Sequence, residues 1–255
     1  MGDSKYLTLA VDIGEQLLKN GAEIYRVEDS ICRVLKAYDV KKYNVYVLAN
    51  GIFVSIKDED GDSLSEVRHV PLESTHLKKI VEINQLVRDI GKLKYNIDEA
   101  RKKLEECEAI PETSLLTGLL FSAIGIGAFT YIFGGTLTDV LFGSLIGVVE
   151  QLCVATLSRF NVNKFLTVTF GSMTVALLST LLVQIGVLTG SNMVVIGGIM
   201  PLLPGVAFTT SIRELYNKNY MSGIIKLADT LITTMCIALG IYIPIVMTHY
   251  LGGIL

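Results

Sequence analysis

EECEAIPETSLLTGLLFSAIGIGAFTYIF, residues 105–133, is the stretch whose reading decides the fold. Its first part is charged and ends at Pro111-Glu112; from Leu115 to Phe133 it holds no charged residue and is long enough to cross a bilayer, which needs roughly 20 apolar residues as a helix. The change is abrupt along the whole chain. Of the 22 Lys and Arg residues, only Arg159, Lys164, Arg213, Lys218 and Lys226 lie beyond Pro111. With 51% hydrophobic residues and a mean hydropathy of +0.51, the 255-residue chain reads as an integral membrane protein carrying a soluble domain over 1–111 and a transmembrane domain over 112–255.

Five segments of the second part have spanning length: 115–133, 137–157, 165–188, 193–212 and 224–250. The connectors at 134–136 and 189–192 contain no Lys or Arg, whereas those at 159–164 and 213–226 hold all five basic residues of this half. By the positive-inside rule the basic connectors face the cytoplasm. That places the 1–111 domain inside and the tail after His249 outside, an arrangement that an odd number of spans permits. The first 20 residues carry Asp3, Lys5, Asp12 and Glu15 without an apolar core, so no signal peptide is expected.

The soluble part reads as α+β. Helical spacing of apolar residues covers 6–19 and 23–38, the second with a stripe of Ile24, Val27, Ile31, Val34 and Leu35. Two β-rich runs, 43–49 and 52–57, flank Asn50-Gly51, which predicts a two-residue hairpin turn because both residue types tolerate positive φ. A short strand follows at 66–70. Ser74 is the expected N-cap of a helix reaching Ile90, and 96–107 is a further charged helix. Asp29 and Arg33 have the i,i+4 spacing of an ion pair, and the Glu23, Arg26, Glu28 cluster is a solvated helix face by default.

The composition excludes several functions. A net charge of −3, with lysines interleaved among acidic residues, provides no field for nucleic acid. Cys32, Cys107, Cys153 and Cys236 lack the spacing of a disulfide framework or a zinc site, and no metal or cofactor is expected. The chain contains no nucleophile elbow, phosphate loop, HExxH or GxGxxG, so an enzyme is not the expected class.

Two features of the membrane half carry chemistry. The run Met200-Pro201-Leu202-Leu203-Pro204-Gly205, with Gly197 and Gly198 before it, breaks the fourth span, because each proline removes a hydrogen bond, to the carbonyls of Gly197 and Met200 respectively. Broken helices at membrane depth form substrate sites in transporters. Glu150 and Asp229 are ionisable groups within spans, at similar expected depths, suited to protons or a substrate ammonium; Glu214, near a span end, is a third candidate for handling that charge, and Asp139 also falls near a span end. Gln151 is a further polar candidate for the substrate pathway, alongside helix–helix hydrogen bonding.

The segment Gly21-Ala22-Glu23-Ile24-Tyr25-Arg26-Val27-Glu28, the Asn50-Gly51 hairpin, Asn84 to Arg88, and the run from Pro204-Gly205 through Arg213-Glu214-Leu215 to Ser222-Gly223 and Asp229 resemble the threonine/serine exporter family, particularly its split form. The resemblance implies five transmembrane helices preceded by a small cytoplasmic α+β domain, in the cell membrane, as the larger subunit of a two-part exporter. It also implies a small hydrophobic second subunit as partner, in a homo- or hetero-oligomer surrounded by lipid. The implied cargo is a small hydrophilic metabolite: threonine or serine, or alternatively a dicarboxylate such as succinate. Gly21, Glu23, Arg26 and Glu28 are the implied motif of the cytoplasmic domain. A membrane-anchored hydrolase and a sensor or scaffold remain the rival readings of that domain.

Overall fold

The computed structural model describes the chain except residues 1, 58–61, 72–74, 93, 112 and 253–255, and it describes no side chains at 2–3 or 249–252. Contacts divide the chain into two compact units: Met1–Pro111 with Thr209–Lys226, and Glu112–Phe208 with Leu227–Leu255.

In the first unit, helices α1 (Gly2–Lys19) and α2 (Ile24–Ala37) precede a three-stranded antiparallel sheet, β1 (Tyr43–Leu48), β2 (Gly51–Lys57) and β3 (Ser63–His69), in that spatial order. Helices α3 (Leu77–Gly91) and α4 (Ile97–Glu108) follow. The α2 stripe behaves as its spacing requires: Ile24, Val27, Ile31, Val34 and Leu35 are all buried. They pack with Leu9, Ile13 and Leu17 of α1, Ile52 and Ile56 of β2, and Ile83 and Ile90 of α3 in one apolar core. Gly21 turns the chain from α1 into α2 with φ +86°, a conformation that a side chain would strain.

Three expectations for this unit need correction or relocation. The hairpin turn is Ala49-Asn50, since Leu48 pairs with Gly51, and neither Asn50 nor Gly51 has positive φ. Both registers keep Val47, Ile52, Val54 and Ile56 on one face, so alternation alone does not choose between them. Tertiary hydrogen bonds use the turn's backbone instead: Ala49 N–H donates to Ser222 Oγ (3.1 Å), and the Asn50 carbonyl accepts from Val70 N–H (3.0 Å). The cap of α3 is His76, whose Nδ1 accepts from Lys79 N–H (3.3 Å), while the expected cap Ser74 lies outside the described residues. Strand β3 begins at Ser63, three residues earlier than its sequence suggests. Helix α4 carries the Asn96/Glu99 capping box.

The second unit is helical: α5 (Leu115–Ile132), α6 (Leu137–Arg159), α7 (Lys164–Gln184), α8 (Asn192–Ile199) and a 3-10 turn at Met200–Leu202. Then come α9 (Gly205–Tyr216) and α10 (Tyr220–Gly252), which pass between the units. Four helices, α5, α6, α7 and α10, are long and apolar enough to span a membrane, and the bent pair Asn192–Leu202 with Gly205–Tyr216 passes the same test together. Their surfaces expose large apolar residues such as Phe121, Ile124, Leu141 and Met235, as lipid-facing helices do. The chain is a multi-pass membrane protein.

Small residues allow the helices to approach. Gly197 of α8 lies against Thr130 of α5 so closely that an added Cβ would sit 2.7 Å from the Thr130 backbone nitrogen. Gly143 of α6 meets the same threonine, and Gly240 of α10 lies against Ser172 and Thr169 of α7.

Candidate functional site

The axis bends by 55° between Asn192–Leu202 and Gly205–Tyr216, where the sequence places its two prolines. Pro201 lies in the 3-10 turn and Pro204 immediately before α9, so neither needs the amide it lacks. The backbone is better satisfied than the proline count implies. The Gly197 carbonyl accepts from Met200 N–H, and the Met200 carbonyl accepts from Leu203 N–H (3.3 Å), so the two carbonyls expected to be vacant are occupied by tighter bonds. Leu203 N–H also reaches the Ile199 carbonyl (3.1 Å).

Glu150 stands beside this break. Its side chain is 1% exposed and lies between three elements. Ser122 of α5 donates to Glu150 Oε2 (3.3 Å) and to the Gly147 carbonyl (2.9 Å). On the other side, a Cβ added at Gly171 of α7 would lie 3.5 Å from Glu150 Oε1 and 3.4 Å from Leu202 Cδ1 of the 3-10 turn. The absence of a side chain at Gly171 thus lets Glu150, Leu202 and Val154 (Cγ2 at 3.0 Å from the same position) pack together against α7. Among the described residues no cation lies within ion-pair distance of Glu150. A buried carboxylate without a counter-ion is costly, and such groups in membrane proteins serve protons, ions or substrates.

The other candidates in this unit have settled partners. Asp229 of α10 pairs with Lys164 of α7 (2.8 Å). Asp139 closes a capping box with Thr136 at the start of α6 (2.8 Å), which explains its burial. Gln151 Nε2 is 3.3 Å from the position a Cβ of Gly118 would take, so its amide fills the α5–α6 contact. Thr130, fully buried between Gly143 and Gly197, has no hydrogen-bond partner for its Oγ1 among the described residues. Nothing in the sequence marks the Ser122 and Thr130 hydroxyls as site groups, or the pairing of Lys164 with Asp229. A hydroxyl one helix away from a buried acid gives no linear signal.

In the first unit the motif residues gather around Glu214. That carboxylate, 1% exposed, accepts from the backbone N–H of Ile24 (Oε1, 2.9 Å) and from Asn219 Nδ2 (Oε2, 2.9 Å), with Lys226 Nζ 3.7 Å from Oε1. It supplies the N-terminal cap that α2 lacks locally, because Glu23, at the N-cap position, makes no side-chain cap bond. Glu23 instead joins Arg26 (3.0 Å) and Arg213. Glu28 accepts from Val47 N–H (3.2 Å); burial pushes its carboxyl above the usual range, against that hydrogen bond and helped by the charge of Glu214. The expected Asp29–Arg33 pair is present at 2.7 Å. The pairing of Glu214 with the start of α2 joins groups 190 residues apart, which explains its absence from any local pattern.

Helices of spanning length, one of them broken at prolines, and a buried acid with no cation partner among the described residues, joined in one chain to an α+β unit, are features that membrane transporters share. The comparisons agree: the family model described as "Putative threonine/serine exporter" (ThrE) matches residues 8–248. The chain belongs to this family, and that membership points to a transporter and not an enzyme. A relative named "Probable threonine/serine exporter", from Mycobacterium tuberculosis (strain ATCC 25618 / H37Rv), is 25% identical over 249 residues, covering 94% of this chain and 46% of the relative. The chain therefore spans about half the length of that relative. No solved structure matches.

Proposed function

We propose that this chain is one subunit of a secondary exporter of threonine- or serine-like amino acids, with the broken α8–α9 segment and Glu150 forming the substrate and proton site. The observation that carries the reading is the position of Glu150: a buried carboxylate without a cation partner, beside the bend at Met200–Gly205. An ammonium group or a proton neutralises it, whereas a dicarboxylate would add like charge to a site without a neighbouring cation. Amino-acid export is accordingly preferred to succinate export. Proton antiport follows if Glu150 loads a proton from one side and exchanges it for the substrate ammonium on the other.

The topology that supports this has five spans, counting the bent pair as one. The basic residues Arg159, Lys164, Arg213, Lys218 and Lys226 lie on the cytoplasmic side, with the N-terminus there and the C-terminus outside. The reading keeps the larger-subunit role and the small hydrophobic partner that the family resemblance implies.

The test is efflux of labelled threonine, serine and succinate from preloaded exporter-deficient cells that express this chain, a small hydrophobic candidate partner, or both. Export of threonine or serine only with both supports the proposal. Succinate export alone refutes the amino-acid assignment. Flux that ignores an imposed pH gradient refutes proton coupling.

A further inference from the structure

The faces of α2 and α3 enclose an open groove of about 620 Å³, within the size range of small-molecule sites. Arg33 and Lys36 line it from α2, and Arg88 and Lys92 from the end of α3, over a floor formed by Ala37 and the buried Val87. Among the described residues no carboxylate lines this groove, although the chain as a whole carries a net charge of −3. A second, smaller hollow of about 270 Å³ shares Arg33, Val87 and Arg88 and adds Arg26; its only acid among the described residues is Asp29, already paired with Arg33.

Both guanidinium groups are held in place. Arg33 Nε donates to Asp29 Oδ2 (2.7 Å), and Arg88 donates through Nε (3.1 Å) and Nη2 (2.8 Å) to Gln85 Oε1. Each keeps further N–H groups for a ligand, and fixing the fork beforehand lowers the entropy lost when it binds an oxyanion. Arg33 is partly compensated by Asp29 and Lys92 by the nearby Asp89, but Lys36 and Arg88 have no carboxylate partner among the described residues, and an anion between the four relieves the repulsion that remains. Two arginines and two lysines exceed what a single carboxylate needs, and match the charge and tetrahedral oxygens of a phosphate; the Val87 and Ala37 floor accommodates an apolar or planar body attached to it.

We propose that the α2–α3 groove binds an organic phosphate, through Arg33 and Arg88 as bidentate donors and Lys36 and Lys92 as point charges. The phosphate comes either from a soluble metabolite or from an anionic lipid headgroup. The site is independent of the transport reading.

Amine-reactive footprinting of the full-length chain, reconstituted in phosphatidylcholine vesicles, tests this. Labelling of Lys36 and Lys92 is read by mass spectrometry against Lys102, exposed outside the groove. The probes are inorganic phosphate, glycerol 3-phosphate and ADP in solution, and, in a separate arm, phosphatidylglycerol in the vesicle. Protection of Lys36 and Lys92 but not Lys102 by a soluble probe identifies a metabolite site; protection only with phosphatidylglycerol identifies a headgroup site. In Arg33→Gln/Arg88→Gln, half-protection should require about tenfold more ligand or greater. Because both arginines are exposed, the variant should retain its fold, which circular dichroism verifies. No protection by any probe, or protection that the double variant leaves unchanged, overturns the proposal.

Discussion

Replacing Glu214 is the sharpest test of how the first unit is held. In Glu214→Ala, the Ile24 N–H loses its acceptor, Asn219 Nδ2 loses its own, and Lys226 loses a carboxylate 3.7 Å away. Removing one partner from a buried charged network costs about 3–5 kcal/mol, of which roughly 1 kcal/mol belongs to the uncapped end of α2. Glu214→Gln keeps an oxygen for Ile24 but gives up the charge and presents an amide to a second amide at Asn219, so the loss should be about 1–3 kcal/mol. The assay is hydrogen exchange on the full-length chain in detergent, followed in the peptide covering residues 23–28. At roughly 1.4 kcal/mol per factor of ten, exchange there should accelerate by about 100-fold or more in Glu214→Ala and by about tenfold in Glu214→Gln. Unchanged exchange in Glu214→Ala, or equal acceleration in both variants, would show that the carboxylate does not cap α2.

Other substitutions probe other parts of the argument. Glu150→Gln retains shape and insertion but holds no exchangeable charge; export should fall to background and lose its response to a pH gradient, while normal flux would remove Glu150 from the mechanism. Gly197→Ala pushes a methyl group into Thr130 at 2.7 Å from its backbone nitrogen, so α5 and α8 must separate at a cost of about 1–3 kcal/mol, measured as a lower melting temperature in detergent. Burial raises the carboxyls of Glu28, Asp12 and Glu108 above their usual values, partly offset at Asp12 by the Arg68 guanidinium. The folded state therefore binds more protons than the unfolded one between the ordinary carboxylate range and those raised values. Stability of this unit should rise as pH falls through that window, and Glu28→Gln should flatten the slope of a protease-resistance profile; a steeper slope would contradict the sign.

The legible parts of the fold were those written in periodicity. The α2 stripe and the uncharged run after Ser114 each state their structure locally, and the helices lie where those patterns put them. The hairpin register was not legible, because shifting the turn from Asn50-Gly51 to Ala49-Asn50 preserves which residues face inward; Ser222 and Val70, distant in sequence, occupy the turn's backbone groups. The break at Pro201 and Pro204 was visible as chemistry but not as geometry. Proline removes donors, yet i→i+3 bonds from Met200 and Leu203 take up the carbonyls that this was expected to leave vacant. Nothing local announces that Glu214 belongs to α2, since a cap supplied across 190 residues has no spacing rule.

Partners, more than depth, separate the three acids that a hydropathy profile treats alike. Asp229 has Lys164 at 2.8 Å, and changing its charge would release a lysine. Glu214 holds a helix amide, an asparagine amide and the vicinity of Lys226, so protonating it would weaken a structural joint. Among the described residues Glu150 has one shared hydroxyl bond, from Ser122, and packs over Gly171 close to the 3-10 turn. It is the acid of the three that can gain or lose a proton without breaking an ion pair. A transport cycle needs such a group, because a site that is strongly paired in one state cannot release its cargo cheaply in the other. Glu150 is therefore set apart by the cation it lacks among the described residues and by Gly171, which lets its carboxylate pack next to the break.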